Sequence, residues 1–165
     1  MKKAVILTAR KERDSQVPYP LKPFAGDICL MDRTLAILRE NGIKQIAIVT
    51  GFCHEQFEKY QAEDVTLIYN KDYEFTASMG SLALAKEFID EDFLLVEGDT
   101  FYEKKVIEKL CERAEGNCIS MTEESGSGDE CFVETKNGFV TKITKDRHRV
   151  CNFEGEMIGD RKSVV

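Results

Sequence analysis

Short, continuous apolar runs set between longer amphipathic stretches constrain this chain most. Ala4–Leu7, Ile46–Val49 and Phe93–Val96 turn no polar residue outward. Each run predicts a strand covered on both faces, as in a parallel sheet. Between them, Asp32 is placed to cap a helix to about Glu40 with Met31, Leu35 and Leu38 on one face, and Asn41-Gly42 stops it. A strand over Ile43–Thr50 is followed by a helix from about Cys53 to Gln61, with Phe57 and Tyr60 inward. Val65–Tyr69 is the next strand, 70–76 a connection, and Ala77 or Ser78 starts a helix through Phe88. After the strand ending at Val96, a helix over 103–113 leads to a strand over 117–121. Such alternation with short connections predicts right-handed crossovers. The fold class is α/β, a three-layer α/β/α Rossmann-like, mostly parallel sheet. Cys131–Thr135 and Phe139–Thr144 flank Lys136-Asn137-Gly138, a strong hairpin signal, so an antiparallel hairpin is added late. Val140 and Ile143 are out of phase, which predicts a twist or bulge. The polar run 123–130 predicts a loop. With no repeat and no linker, the 165 residues are expected to form a single domain.

The net charge of −7 argues against a general nucleic-acid binder, which needs a basic stripe to displace counterions. A local basic loop can still hold a small anion. No apolar run approaches membrane-spanning length, and the strand after Met1-Lys2-Lys3 is too short for a signal-peptide core. The six cysteines include no Cys-x-x-Cys pair, so we expect reduced thiols in a cytoplasmic protein and no zinc site.

The loop after the first strand carries Arg10, Lys11, Arg13 and Lys22 against Glu12 and Asp14. It leaves the carboxyl end of a central strand, where open α/β sheets place ligands. These cations favour an anion such as a polyphosphate, and the alternative is a solvated surface loop. Asp99 follows Phe93–Val96 and Glu97-Gly98; a carboxylate there can hold Mg²⁺ on nucleotide phosphates or merely cap the next helix. Thr76-Ala77-Ser78-Met79-Gly80-Ser81 gathers small and hydroxyl residues at a helix start, where free N–H groups can bind a base edge or phosphate. The alternative is capping by Thr76 or Ser78 with close packing at Gly80. Lys145 ends the hairpin, a position that is ordinarily surface. His54, expected on an exposed helix turn, and His148 have no partner at catalytic spacing. No nucleophile–base pair or Gly-x-Ser-x-Gly is present, so covalent catalysis is not indicated.

Taken together, several segments resemble the nucleotidyltransferases that couple an NTP to a phosphorylated small molecule. These include sugar-1-phosphate nucleotidyltransferases and bacterial phosphocholine cytidylyltransferases. The segments are Lys3–Ala9, Pro20-Leu21-Lys22-Pro23, Asp32–Leu35, Asn41-Gly42-Ile43, Ile48–Gly51, Tyr69-Asn70, Ser81–Ala85 and Glu97–Phe101. The resemblance runs from Lys2 to about Gly159. It implies that Arg13 (or Arg10) and Lys22 contact phosphates and that Asp99 holds Mg²⁺. It places Leu7, Thr8, Ala9, Arg10, Ala77, Ser78 and Ser81 beside the nucleotide, with Lys145 meeting the acceptor phosphate. The implied partners are a nucleoside triphosphate, CTP favoured, and a phosphorylated acceptor such as phosphocholine or a sugar phosphate. No nucleic acid or membrane is expected, and a homo-oligomer is possible. Two departures stand out. Arg10-Lys11-Glu12-Arg13 replaces the family's Gly-x-Gly-x-Arg, and the chain stops soon after Glu156–Gly159, as a shortened member would. Both leave open a nucleotide-binding or regulatory domain without turnover. A flavodoxin-like or dinucleotide-binding domain is a weaker alternative, because no Gly-x-Gly-x-x-Gly follows the first strand.

Overall fold

The computed structural model describes residues 1–12, 15–112, 116–124, 126, 128, 130–151 and 153–162. Its strands are β1 (Lys3–Thr8), β2 (Pro23–Ala25), β3 (Ile28–Cys29), β4 (Gln45–Thr50), β5 (Val65–Tyr69), β6 (Phe93–Glu97), β7 (Cys118–Thr122), β8 (Phe132–Lys136), β9 (Phe139–Thr144) and β10 (Phe153–Lys162). The helices are α1 (Leu30–Glu40), α2 (Ser78–Leu84) and α3 (Lys104–Glu112). His54–Tyr60, expected as an α-helix, is a run of 3₁₀ turns.

The main sheet has the order β5-β4-β1-β6-β10-β8-β9, with β7 also paired to β10. β5, β4, β1 and β6 are parallel, with Ile6 opposite both Ile48 and Val96. The apolar runs are continuous because alternate residues serve two layers. Ala4, Ile6, Ile46, Ile48, Leu94 and Val96 pack with Met31, Leu35 and Leu38 of α1 and with Phe57, Ile107 and Leu110. On the other face, Val5, Leu7, Ala47, Val49 and Phe93 pack with Ala85, just past α2. Three layers result, as the sequence implied.

One expectation is corrected, and one strand was not foreseen. The strand over 117–121 has no parallel partner: β7 pairs antiparallel with β10, which itself lies antiparallel to β6. The segment 153–162 carries only a brief alternation over Phe153–Met157, yet it forms the longest strand among the described residues and inserts between β6 and β7. Its pairing is set by two open sheet edges rather than by its own pattern. The β8–β9 hairpin does turn at Asn137-Gly138, both at positive φ (55° and 79°). Its register slips between Glu134 and Thr135, leaving Thr141 as the bulge foreshadowed by the phase break.

Asp32 is not the cap of α1. Cys29 occupies that position and Asp32 sits a turn inside, closing a capping box. Its Oδ2 accepts from the Cys29 N–H (3.1 Å) and the Cys29 thiol (3.0 Å), and its Oδ1 accepts from the Tyr60 hydroxyl (2.8 Å). Burial alone would raise the Asp32 pKa, but these donors outweigh it and hold the carboxyl below its ordinary value. A depressed folded-state pKa stabilises the fold above the unfolded value, and that stability is lost as pH falls through the folded one. Asp32 is exposed, so solvent screening discounts the gain, and Asp32→Asn is expected to cost at most about 1 kcal/mol near neutrality. Urea midpoints of variant and parent should converge in acid, below the ordinary carboxylate range.

Candidate functional site

The carboxyl ends of β1, β4 and β6 meet, with Thr8 opposite Thr50 and Leu7 opposite Glu97. A glycine follows each flanking strand, and both press on the end of β1. A Cβ on Gly98 would lie 2.4 Å from Thr8 Cγ2 and 2.8 Å from the Leu7 carbonyl oxygen; one on Gly51 would lie 2.5 Å from the Ala9 oxygen. The Gly98 N–H donates to Leu7 O (2.8 Å), the Phe52 N–H to Ala9 O (3.1 Å) and Thr8 Oγ1 to Val49 O (3.2 Å). The Leu7-Thr8-Ala9 backbone is thereby clamped on both sides before it enters the basic loop.

That loop returns along the sheet end through Tyr19–Leu21 into the small β2–β3 hairpin, whose turn is Gly26-Asp27. Gln16 O accepts from Gln56 Nε2 (2.9 Å) and Cys53 Sγ (3.6 Å), which ties the loop to the segment after β4. Arg10 is exposed, and Arg13 lies outside the described residues. Lys22 Nζ forms an ion pair with Glu12 Oε2 at 2.5 Å and lies 5.6 Å from the Tyr19 ring centre. Glu12 Oε1 is shielded from solvent with no hydrogen-bond partner among the described residues.

Asp99 projects from the turn after β6 and is exposed, while Gly98 before it is buried. Tyr102, 4% exposed, braces this turn: its hydroxyl accepts from the Glu97 N–H at 3.1 Å. Burial, reinforced by the nearby Glu97 and Asp99 charges, pushes the phenol above its ordinary value, so it stays protonated. Arg33 reaches Tyr102 O at 2.6 Å and stacks 4.2 Å over Phe101, fastening the turn to α1. Asp99 does not cap α3, which begins at Lys104. Among the described residues no group of three His, Cys, Asp or Glu is arranged to hold a metal ion. Mg²⁺ is commonly held by one or two carboxylates plus substrate phosphates, so a single exposed Asp99 fits that mode.

Asn70, just past β5 and 2% exposed, arranges the start of α2. Its amide donates to Thr76 Oγ1 (2.8 Å) and Ser81 Oγ (3.0 Å), and its carbonyl accepts from the Asp72 N–H (3.0 Å). Thr76 therefore does not cap the helix; Ala77 occupies that position without a side-chain bond. Ala77 and Ser78 are exposed, whereas the Ser81 side chain is buried on Asn70. The reading of the residues missed this role of Asn70, which entered only as part of the Tyr69-Asn70 segment of the resemblance. His54 is half-buried rather than exposed and stacks on Tyr69 at 4.1 Å.

Lys145 is exposed and follows Thr144, which pairs with Phe132, itself opposite Glu156 of β10. Because β10 pairs with β6 only from Gly159 onward, its earlier residues run past the carboxyl end of β6. The hairpin rises from that end, and β9 brings Lys145 back to its base. The topology thus sets the end of β1, the turn bearing Asp99 and the start of α2 at the carboxyl end of the sheet, with Phe24, two residues past Lys22, 5.7 Å from Phe101 of that turn and Lys145 at the base of the hairpin beyond it.

The model of the MobA-like NTP transferase domain matches residues 4–143. A CMP-5'-(3-aminopropyl)phosphonate synthase of Streptomyces rubellomurinus is 31% identical over 149 residues, 87% of this chain and 24% of that protein. A choline-phosphate cytidylyltransferase of Haemophilus influenzae is 42% identical over 66 residues, 39% of this chain and 28% of that protein. The chain thus spans about a quarter of the length of these curated relatives. The inositol-1-phosphate CTP transferase of T. maritima superposes with a TM-score of 0.77 at 17% identity, covering 99% of this chain and 71% of that one. A CTP:phosphocholine cytidylyltransferase of Streptococcus pneumoniae gives 0.71 at 18% identity, covering 99% and 72%. These two likenesses concern the fold, and the family match spans β1 through most of β9. The chain belongs to the MobA-like NTP transferase domain family.

Proposed function

We propose that this chain acts as a single Mg²⁺-dependent nucleotidyltransferase domain. It would couple an NTP, CTP favoured, to a phosphorylated small molecule such as phosphocholine or a sugar 1-phosphate. The observation carrying this reading is the clamped Leu7–Ala9 backbone at the sheet end from which the Asp99 turn also leaves, with Phe24 of the returning loop against Phe101 of that turn. The relatives named as cytidylyltransferases or CTP transferases favour CTP.

In the reaction, an acceptor phosphate oxygen attacks the α-phosphorus in line. The new P–O bond forms as the bond to the β-phosphate bridging oxygen breaks, and pyrophosphate leaves with those electrons. Such a step needs positioning and charge neutralisation rather than a covalent nucleophile. Leu7, Thr8 and Ala9 would form the floor of the nucleotide site, with Ala77, Ser78 and the Asn70-anchored Ser81 on its α2 side. Arg10, Arg13 and Lys22 would neutralise phosphate charge, and Lys145 would receive the acceptor phosphate. Asp99 would hold Mg²⁺, which supplies Lewis-acid neutralisation of phosphate oxygens. No helix among the described residues is long and apolar enough to cross a membrane. The proposed setting is cytoplasmic, with a homo-oligomer as its possible assembly. A second reading, a nucleotide-binding domain without turnover, is favoured by the glycine-free sequence Arg10-Lys11-Glu12-Arg13.

The test is thermal stability with each NTP, with and without Mg²⁺. At about 100 times its Kd a ligand adds roughly 2.7 kcal/mol, and a Mg²⁺-dependent shift with CTP is the expected result. Pyrophosphate release on adding phosphocholine or a sugar phosphate then separates turnover from binding alone. The absence of a shift with every NTP would overturn the reading.

A further inference from the structure

The basic loop holds its own anion. Glu12 lies in the glycine-free run Arg10-Lys11-Glu12-Arg13, and its Oε2 lies 2.5 Å from Lys22 Nζ, a phosphate candidate of the same loop. The second oxygen, Oε1, is shielded from water and has no hydrogen-bond partner among the described residues. One carboxylate oxygen thus neutralises the lysine while the other has no donor, so Glu12 is an incompletely satisfied anion beside the lysine. The loop that carries Glu12 is tied down on both flanks, by Lys11 on Glu74 (3.3 Å) and by Gln16 O on Gln56 (2.9 Å). Glu12 therefore lies beside Lys22 through local fixing of the chain rather than by chance sampling.

We propose that Glu12 is a built-in competitor for Lys22, an internal anion that a triphosphate must displace before the lysine can serve it. The inference rests on the reading of Lys22 as a phosphate ligand. Two costs follow for an incoming nucleotide: the Glu12–Lys22 pair must open, and a carboxylate remains near the phosphates. A partly exposed ion pair is worth up to about 1 kcal/mol, about fivefold in affinity, and the residual repulsion adds to it. A divalent cation on the phosphates relieves that repulsion, so the penalty is greatest without Mg²⁺.

The experiment measures binding of CTP and of inorganic triphosphate by calorimetry, with and without Mg²⁺. It compares the parent chain, Glu12→Gln, Lys22→Ala and the double variant, each with its thermal midpoint recorded. Gln conserves size and hydrogen bonding while removing the charge. The expected result is that Glu12→Gln tightens both ligands about five- to tenfold, more without Mg²⁺, and that the gain disappears in the Lys22→Ala background. Binding by Glu12→Gln where the parent chain shows none would support the competitor equally. Weaker or unchanged binding by Glu12→Gln, with Lys22→Ala still losing affinity, would overturn the competitor and leave Lys22 as a phosphate ligand. If Lys22→Ala binds as the parent does, or no form binds either ligand, the phosphate role of Lys22 falls and the competitor falls with it.

Discussion

Asp99→Ala is expected to reduce Mg²⁺-dependent nucleotidyl transfer by about a thousandfold or more while leaving the thermal midpoint nearly unchanged. The two parts of this expectation have separate sources. Asp99 is exposed and bears none of the contacts that hold the turn, which come from Gly98 N–H to Leu7 O and Glu97 N–H to Tyr102. Its removal therefore costs little folding energy. As an exposed carboxylate two residues past the end of β6, it is suited to ligate a cation shared with phosphates. Asp99→Asn keeps the size and removes the charge, and it should lose nearly as much activity. The check is pyrophosphate release against Mg²⁺ concentration, alongside a melting curve. Full activity in Asp99→Ala would remove the metal role from this residue.

Gly98→Ala, one residue earlier, should have the opposite signature. A methyl at Gly98 would sit 2.4 Å from Thr8 Cγ2 and 2.8 Å from the Leu7 carbonyl oxygen, and the second neighbour is backbone that cannot swing aside. Gly98 is not among the positive-φ glycines, so the cost is contact and not torsional strain. Overpacking of this kind costs roughly 3 kcal/mol. For a chain of this size that corresponds to roughly 10 °C in midpoint. The strain falls on β1 and β6 together, so nucleotide binding should weaken as well. A melting temperature within a degree of the parent would show that β1 and β6 separate easily, contrary to the contact.

The sequence by itself determined the layered core and pointed to the carboxyl end of the sheet as the candidate site. Ala4–Leu7, Ile46–Val49 and Phe93–Val96 are apolar on both faces, and only a sheet covered on both sides accommodates that. The Asn137-Gly138 turn was legible because its torsions favour those two residues. Asp99, Lys22 and the start of α2 were legible as candidates because they follow such strands or open a helix.

Only the tertiary structure decided what those residues touch. It inserted 153–162 between β6 and β7, a pairing that depends on edges supplied by distant strands and leaves only a brief alternation in the segment. It moved the cap of α1 from Asp32 to Cys29, because Tyr60, 28 positions away, completes the hydrogen bonding of the Asp32 carboxylate. It set Asn70 beneath Thr76 and Ser81, and it gave Lys22 the partner Glu12. Burial patterns repeat along a chain and can be read from it. Individual polar pairings are fixed by distances across the fold, and those exist only once the sheet is assembled.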